Sequence, residues 1–213
     1  MLNKDLKIDA VLLAAGASIR FGESNKLLAE INKKPMILYI AEKILLSGVK
    51  SLTIITGHDH KIISEMFYNK KIKVFHNSKY LNGHASTLSI AIKSLPEDSK
   101  AVMICLSDMP YLTTENYRSL LRRHIKKSNQ NTISAPFFDG KRGNPVIWSN
   151  SYYKKLSKLK GDVGGKSIID EFERNILYHK TASKNYFLDI DTKKDYEKLL
   201  KDHSHFNQKN ISL

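Results

Sequence analysis

Apolar positions along the chain follow two alternating rhythms. Asp9 to Ala15 (DAVLLAA) is a nearly unbroken apolar run ending at Gly16, the pattern of a strand buried on both faces that empties into a loop. That loop runs to about Lys26. Behind Pro35, residues Ile37, Ile40, Ala41, Ile44 and Leu45 share one helical face, and Gly48 supplies the stop. The alternation repeats with a strand at 51–56, a helix at 60–68, a strand at 72–76, a helix at 85–95 and a strand at 101–106 closing on Ser107-Asp108. A helix from Thr113 to about Lys127 follows, then strands at 132–136 and 145–148 around the turn FDGKRGN. Helices at 151–159 and 166–172, strands at 176–179 and 187–189, and a helix from Lys193 to Lys201 complete the reading. Such βα alternation predicts an α/β fold, a single-domain Rossmann-like three-layer αβα sandwich with a mostly parallel sheet. No repeat or linker divides the chain. The expected domain is 1–203, with the aperiodic 204–213 as a flexible tail.

With 213 residues, 41% hydrophobic and 26% charged, the chain has the means to bury a sizeable core, which excludes a disordered or collagen-like protein. No apolar run approaches the roughly 20 residues that span a bilayer, and the N-terminus lacks a leader pattern, so a cytoplasmic protein is expected. A single cysteine, Cys105, excludes an internal disulfide and reads as an inert thiol in an apolar strand. The net charge of +14 raises the question of nucleic acid. However, the basic residues are 29 lysines spread along the chain and only six arginines, without the clustering of a nucleic-acid face. A solvated surface suited to an anionic small substrate is the reading favoured. A basic nucleic-acid-binding protein is the nonenzymatic alternative, and its sign is salt-sensitive binding with no nucleotide turnover.

The chemistry concentrates where strands end. After Leu13-Ala14-Ala15-Gly16 the backbone is free of bulk, and Ser18, Arg20 and Lys26 follow as hydroxyl and cationic partners for phosphates. An ordinary βα loop with surface cations reads the same segment. Its glycine spacing is not that of a dinucleotide fingerprint, and the second strand ends Thr56-Gly57 without an acidic residue for a ribose. Asp108, in Ser107-Asp108-Met109-Pro110, sits at a strand's carboxyl end, where a carboxylate holds Mg²⁺ beside a triphosphate; Thr113 or Thr114 already serves to cap the next helix. Asp189 and Asp191 alternate on one side of an extended segment, while Asp191 or Thr192 fits equally well as the cap of the helix starting at Lys193. The stretch Asn77 to Thr87, with Tyr80 and Gly83, offers amides and hydroxyls at a helix start for a base or ribose. The segment from Lys160 to Ser167 imitates a P-loop but has lysine where the first glycine belongs, and neither His58/His60 nor His203/His205 has metal-site company.

In order along nearly the whole chain, these pieces resemble the molybdenum cofactor nucleotidyltransferases, within the wider GT-A-like nucleotidyltransferase fold. The resemblance rests on Leu13 to Gly16 with Arg20, Gly22 and Lys26; Asn77, Tyr80, Gly83 and Thr87; Ser107 to Pro110; Arg142-Gly143-Asn144-Pro145; Gly161-Asp162 with Gly164; and Asp189 to Thr192. Ala15, where guanylyltransferases of the family usually carry glycine, points to the cytidylyltransferase branch, and the lack of a proline before Lys26 points away from the cytidylyltransferases of isoprenoid synthesis. Phe21, His84 and Gly165-Lys166 depart from the common pattern. The resemblance implies transfer of CMP from CTP to the phosphate of molybdopterin with Mg²⁺ on Asp108 and Asp191. Arg20 and Lys26 act on the triphosphate, and Leu13, Ala14, Ala15, Gly16, Ser18, Gly57, Asn77, Gly83 and Thr87 hold the nucleotide. Arg142, Gly143, Asn144, Pro145, Gly161 and Asp162 fall on the pterin side. GTP as donor, another small phosphate or sugar phosphate as acceptor, and a recipient molybdenum enzyme as partner are further implications of the same resemblance.

Overall fold

The computed structural model describes residues 7–209 apart from 23, 69 and 71, with side chains as far as residue 202. Its strands are β1 (Asp9–Ala14), β2 (Glu30–Ile31), β3 (Lys34–Pro35), β4 (Leu52–Thr56), β5 (Lys73–His76), β6 (Ala101–Leu106), β7 (Ile133–Phe138), β8 (Lys141–Arg142), β9 (Val146–Ser149) and β10 (Ile176–Lys180). The helices are α1 (Met36–Leu46), α2 (His60–Met66), α3 (His84–Lys93), α4 (Thr114–Lys127), α5 (Tyr153–Leu156), α6 (Lys166–Glu171) and α7 (Lys193–Lys209).

The main sheet runs β10-β7-β9-β6-β1-β4-β5, with β8 paired to β7. β1 is parallel to both β4 and β6, and β4 to β5, whereas β9 runs antiparallel to β6 and β7. The fold is thus a mixed α/β sandwich with a mostly parallel central sheet. Side chains alternate across it. Ala10, Leu12 and Ala14 of β1 with Met103 and Cys105 of β6 pack into one core with α1, α4 and α7. Val11 with Val102 and Ile104 packs into the other, against α3, α5 and α6. Both faces of β1 and β6 are therefore covered, which is why these strands read as continuous apolar runs. The chain leaves β1 toward β4 on one side and later returns to β6 on the other. The carboxyl ends of β1 and β6 form the switch point at which open α/β sheets bind ligands.

The structure departs from the sequence reading in several elements: β8 (Lys141–Arg142) forms within the expected turn 138–144, and the helix expected at 151–159 is α-helical only over Tyr153–Leu156. The strand expected at 187–189 does not form: residues 184–187 make a 3₁₀ turn, and the extended segment beyond it makes a single backbone bond, from Ile190 N–H to the Asp108 carbonyl at 2.7 Å, with no strand to ladder against. The β2–β3 ribbon was not expected. Its turn places Asn32 and Lys33 at φ 52° and 62°, and two residues per strand leave no periodicity to read. Finally, α7 runs to Lys209 rather than stopping at Lys201, so 204–209, given to the tail by the sequence reading, has helical backbone; 210–213 lies outside the described residues. Among the described residues no helix is long and apolar enough to cross a membrane.

Candidate active site

The loop after β1 is held in shape by its own side chains. Ser18, at φ 55°, donates its hydroxyl to Asn25 Oδ1 at 3.1 Å, and the same oxygen accepts the Leu27 amide at 3.0 Å, starting the turn that carries Lys26. The Asn25 amide in turn donates to Asp59 Oδ2 at 3.0 Å. Lys26 then points inward with only 12% of its side chain exposed. Its ammonium donates to Asp108 Oδ2 at 2.9 Å, the Ile190 carbonyl at 2.8 Å and Asp191 Oδ1 at 3.2 Å. Arg20, 74% exposed, pairs with the other oxygen of Asp191 at 2.8 Å. One cationic loop therefore gathers carboxylates from two distant segments.

Both carboxylates are spared from capping duty. Thr113 caps α4, exchanging bonds with Asn116 in a capping box, so Asp108 is not needed there. At the start of α7 Thr192 accepts the Asp195 amide at 3.2 Å, while Asp195 accepts the Thr192 amide at 2.8 Å. This resolves the two readings of the segment: Thr192 is the cap and Asp191 faces the cations. In the turn that follows Asp108 the Lys43 ammonium donates to the Pro110 carbonyl at 2.8 Å, and burial pushes the Lys43 pKa down to about 8. Asp108 Oδ1 is buried without a hydrogen-bond partner among the described residues. Asp189 lies close enough that burial, followed by the charges of Asp108 and Asp191, raises its carboxyl above the usual range.

A cleft of about 400 Å³ opens over this cluster. Leu13, Ala15, Gly16 and Ser18 line it from the first loop, together with Arg20 and Lys26. Gly83, Thr87 and Asp162 line it from the far side, and Asp108 and Asp191 from below. Ala14, Gly57 and Asn77 do not reach it. Ala14 is in the core, and a Cβ on Gly57 would stand 2.5 Å from the Ala15 carbonyl oxygen and 2.7 Å from Tyr80, so Gly57 serves the close approach of neighbouring loops. Asn77 is fully buried, and its amide donates to Ser86 Oγ at 2.9 Å and Thr87 Oγ1 at 3.0 Å. These bonds tie it to the start of α3.

A second cavity of about 660 Å³ adjoins the first. Arg142, Gly143 and Asn144 line it, with Lys141 and Lys166, above a floor that includes Trp148, Leu88 and Ile104. The turn is fixed by bonds from Gly143 N–H to the Pro136 carbonyl at 2.9 Å and from Asn144 N–H to the Tyr186 carbonyl at 3.0 Å. Arg142 is tied to Asp170 at 2.6 Å. Pro145 and Gly161 line neither cavity. The sequence reading put Gly161 and Asp162 with the acceptor side, but they close the N-terminus of α3: Asp162 Oδ1 accepts the His84 amide at 3.2 Å and the Gly161 carbonyl accepts the Ala85 amide at 3.3 Å. First-turn amides need such acceptors, and here the loop supplies them, which turns Asp162 toward the first cavity. Gly164 and Gly165 take the place by the second cavity; a Cβ on Gly165 would stand 2.5 Å from the Trp148 ring. Trp148, Lys141 and Lys166 are not among the candidate site residues of the sequence reading, because nothing in their spacing ties them to the phosphate loop. Cys105 is buried, and desolvation raises its thiol far above the ordinary range, in keeping with an inert role. His60 is occupied by Thr56 Oγ1 at the end of β4 at 2.8 Å and by Ser64 Oγ within α2 at 3.0 Å.

Similar proteins share this framework. The chain is 27% identical over 135 residues to the bifunctional protein GlmU of Caldanaerobacter subterraneus subsp. tengcongensis, covering 63% of this chain and 29% of that protein, so it spans about a third of the length of such curated relatives. The crystal structure of Rv0371c from Mycobacterium tuberculosis H37Rv superposes with a TM-score of 0.77 at 20% identity, covering 92% of this chain and 98% of that one. CMP:2-keto-3-deoxy-manno-octonic acid synthetase complexed with CTP gives 0.74 at 14% identity, covering 93% and 99%. At these identities the two structures share the fold. Residues 10–176 match the model of the MobA-like NTP transferase domain, and the chain belongs to that family.

Proposed function

We propose that this nucleotidyltransferase moves CMP from CTP to the phosphate of molybdopterin, releasing pyrophosphate and forming the cytosine dinucleotide form of the cofactor. The observation that carries the reading is the cluster of Lys26, Arg20, Asp108 and Asp191 at the β1/β6 switch point, open to one cavity and adjoined by a second. Two substrates have room to meet there.

Asp108 and Asp191 would hold a divalent cation, for which the buried, unpartnered Asp108 Oδ1 is the natural first ligand. Mg²⁺ takes one or two carboxylates and completes its shell with phosphate oxygens and water, so two carboxylates would suffice. When bound, it supplies charge stabilisation to the triphosphate. Lys26 and Arg20, paired with these same carboxylates in the free protein, turn to the phosphates as substrate arrives and offset charge on the leaving pyrophosphate. An oxygen of the acceptor phosphate attacks the α-phosphorus, a new P–O bond forms, and the bond to the β-phosphate oxygen breaks with its electron pair leaving on pyrophosphate. The second pKa of a phosphate monoester is about 6, so the acceptor is largely ionised at neutral pH and no protein base is required. The first cavity takes CTP, with Ala15 limiting room for the base. The second, apolar below and cationic at its rim, suits a flat, anionic acceptor such as a pterin phosphate.

The test is turnover with molybdopterin, Mg²⁺ and each nucleoside triphosphate in turn, scored for pyrophosphate and dinucleotide. CTP with molybdopterin is expected to be the productive pair. Turnover with a sugar phosphate and not with molybdopterin overturns the acceptor assignment.

A further inference from the structure

Three residues line both cavities: Leu13, Leu106 and His84. Two are aliphatic side chains at the carboxyl ends of β1 and β6, and they form the floor of the seam between the cavities. His84 is the exception. It is the first residue of α3, it is exposed, and its backbone amide is already given to Asp162 Oδ1 at 3.2 Å. An anion at the seam therefore finds this main-chain donor occupied and a carboxylate beside it. The imidazole has no hydrogen-bond partner among the described residues. It is the single side chain common to both cavities that is able to donate a hydrogen bond.

We infer that His84 contacts the phosphate of the acceptor and fixes it at the seam, in line with the donor nucleotide. This rests on the reading of the second cavity as the acceptor site. A phosphate monoester entering over Trp148 brings its flat part against the apolar floor and its charged end toward Leu13 and Leu106, which offer it nothing. Burying a charged group against aliphatic surface is costly unless a donor meets it. Lys141, Arg142 and Lys166 stand around the second cavity alone and do not line the seam. His84 meets that need from the one helix that borders both spaces, so it selects acceptors ending in a phosphate over uncharged analogues of the same shape.

The test uses 4-methylumbelliferyl phosphate, a planar aromatic phosphate monoester, titrated into the wild-type protein, His84→Gln and His84→Leu, with CTP·Mg²⁺ titrated in parallel. Circular dichroism checks that each variant is folded, as the exposed position leads us to expect. His84→Leu should bind the aryl phosphate about tenfold more weakly, the loss of one hydrogen bond to a charged group, while His84→Gln, which keeps an N–H donor, stays within about threefold of wild type. CTP affinity should move by less than about threefold in both. Equal aryl phosphate binding by all three proteins overturns the inference, as does a parallel loss of CTP and aryl phosphate binding. Failure of the wild type to bind the probe also overturns it. Pyrophosphate release from CTP with molybdopterin then reports on the proposed reaction separately.

Discussion

Lys26 reaches Asp108 across 82 positions of sequence and holds its Oδ2 at 2.9 Å, while Oδ1 of the same carboxylate stays buried with no partner among the described residues. The pair is the meeting point of the loop after β1 and the end of β6, and Asp191 joins it from the segment before α7. In the free protein the ammonium balances carboxylates that, in the proposed reaction, would hold a metal against phosphates. The two residues therefore differ in what their loss should do.

Asp108→Asn keeps size and removes charge, so it should lower kcat by about a hundredfold or more, the scale of one preorganised electrostatic group. Lys26→Ala should be milder in kcat, because Arg20 remains, and should weaken CTP binding as well. Turnover against Mg²⁺ concentration, alongside thermal unfolding, separates the outcomes. Near-normal turnover in a folded Asp108→Asn protein removes this carboxylate from the mechanism, and full rescue by excess Mg²⁺ reduces its role to affinity.

Much of this arrangement was legible in the sequence, for stated reasons. β1 and β6 are buried on both faces, so they appear as DAVLLAA and AVMICL without periodic interruption, and their ends fix where Gly16 and Asp108 fall. Tertiary closure was not legible. The sequence shows Asn77 as an amide at a helix start, and only the fold shows that this amide is given to Ser86 and Thr87. Nor does the sequence show that Asp162 accepts the first amide of α3, from His84. The choice between Asp191 and Thr192 as cap turned on Asp195, whose carboxylate completes the reciprocal bonds with Thr192 and leaves Asp191 for Lys26.

Ala15 lines the first cavity, and in the proposed reading its methyl group takes room that guanine, the larger base, would require. Ala15→Gly should relax a preference for CTP over GTP only in part, since a methyl-sized gap is worth about 1–3 kcal/mol and hydrogen bonds to the base edge carry the larger share. Competition between the two nucleotides, measured on the wild type and the variant with one acceptor, checks this. An unchanged ratio takes Ala15 out of base selection.

Gly83 has φ +92°, and a Cβ there would stand 2.7 Å from both the Asp162 Cα and the Gly161 carbonyl oxygen. Gly83→Ala should push the 161–162 loop off the start of α3, costing on the order of 1–3 kcal/mol in stability, and should weaken CTP binding through the displaced wall of the cleft. Chemical denaturation and nucleotide titration measure the two effects. A variant with wild-type stability contradicts the packing described for this loop.

His124 on α4 is buried, bonded through Nδ1 to Ser134 Oγ at 2.7 Å, and desolvation lowers its pKa to about 4. Below its unfolded value of 6.5 the unfolded chain takes up a proton that the folded chain refuses. Stability is thus whole above pH 6.5 and falls as pH drops from there toward 4, by on the order of 3 kcal/mol from this group; burial acts in the same direction on His60 and His179. His124→Gln should flatten the slope of unfolding free energy against pH in that window. An unaltered slope assigns the acid sensitivity to other groups.

The central claim is that two substrates meet over Asp108 and that CTP is the nucleotide donor. Its most direct test is pyrophosphate release by the purified protein supplied with Mg²⁺, molybdopterin and CTP or GTP, with the dinucleotide identified by mass. The account predicts stoichiometric pyrophosphate and cytosine dinucleotide with CTP, a much slower reaction with GTP, and loss of both products in Asp108→Asn. Equal use of GTP, or no pyrophosphate from CTP with molybdopterin in a protein that binds both, contradicts it.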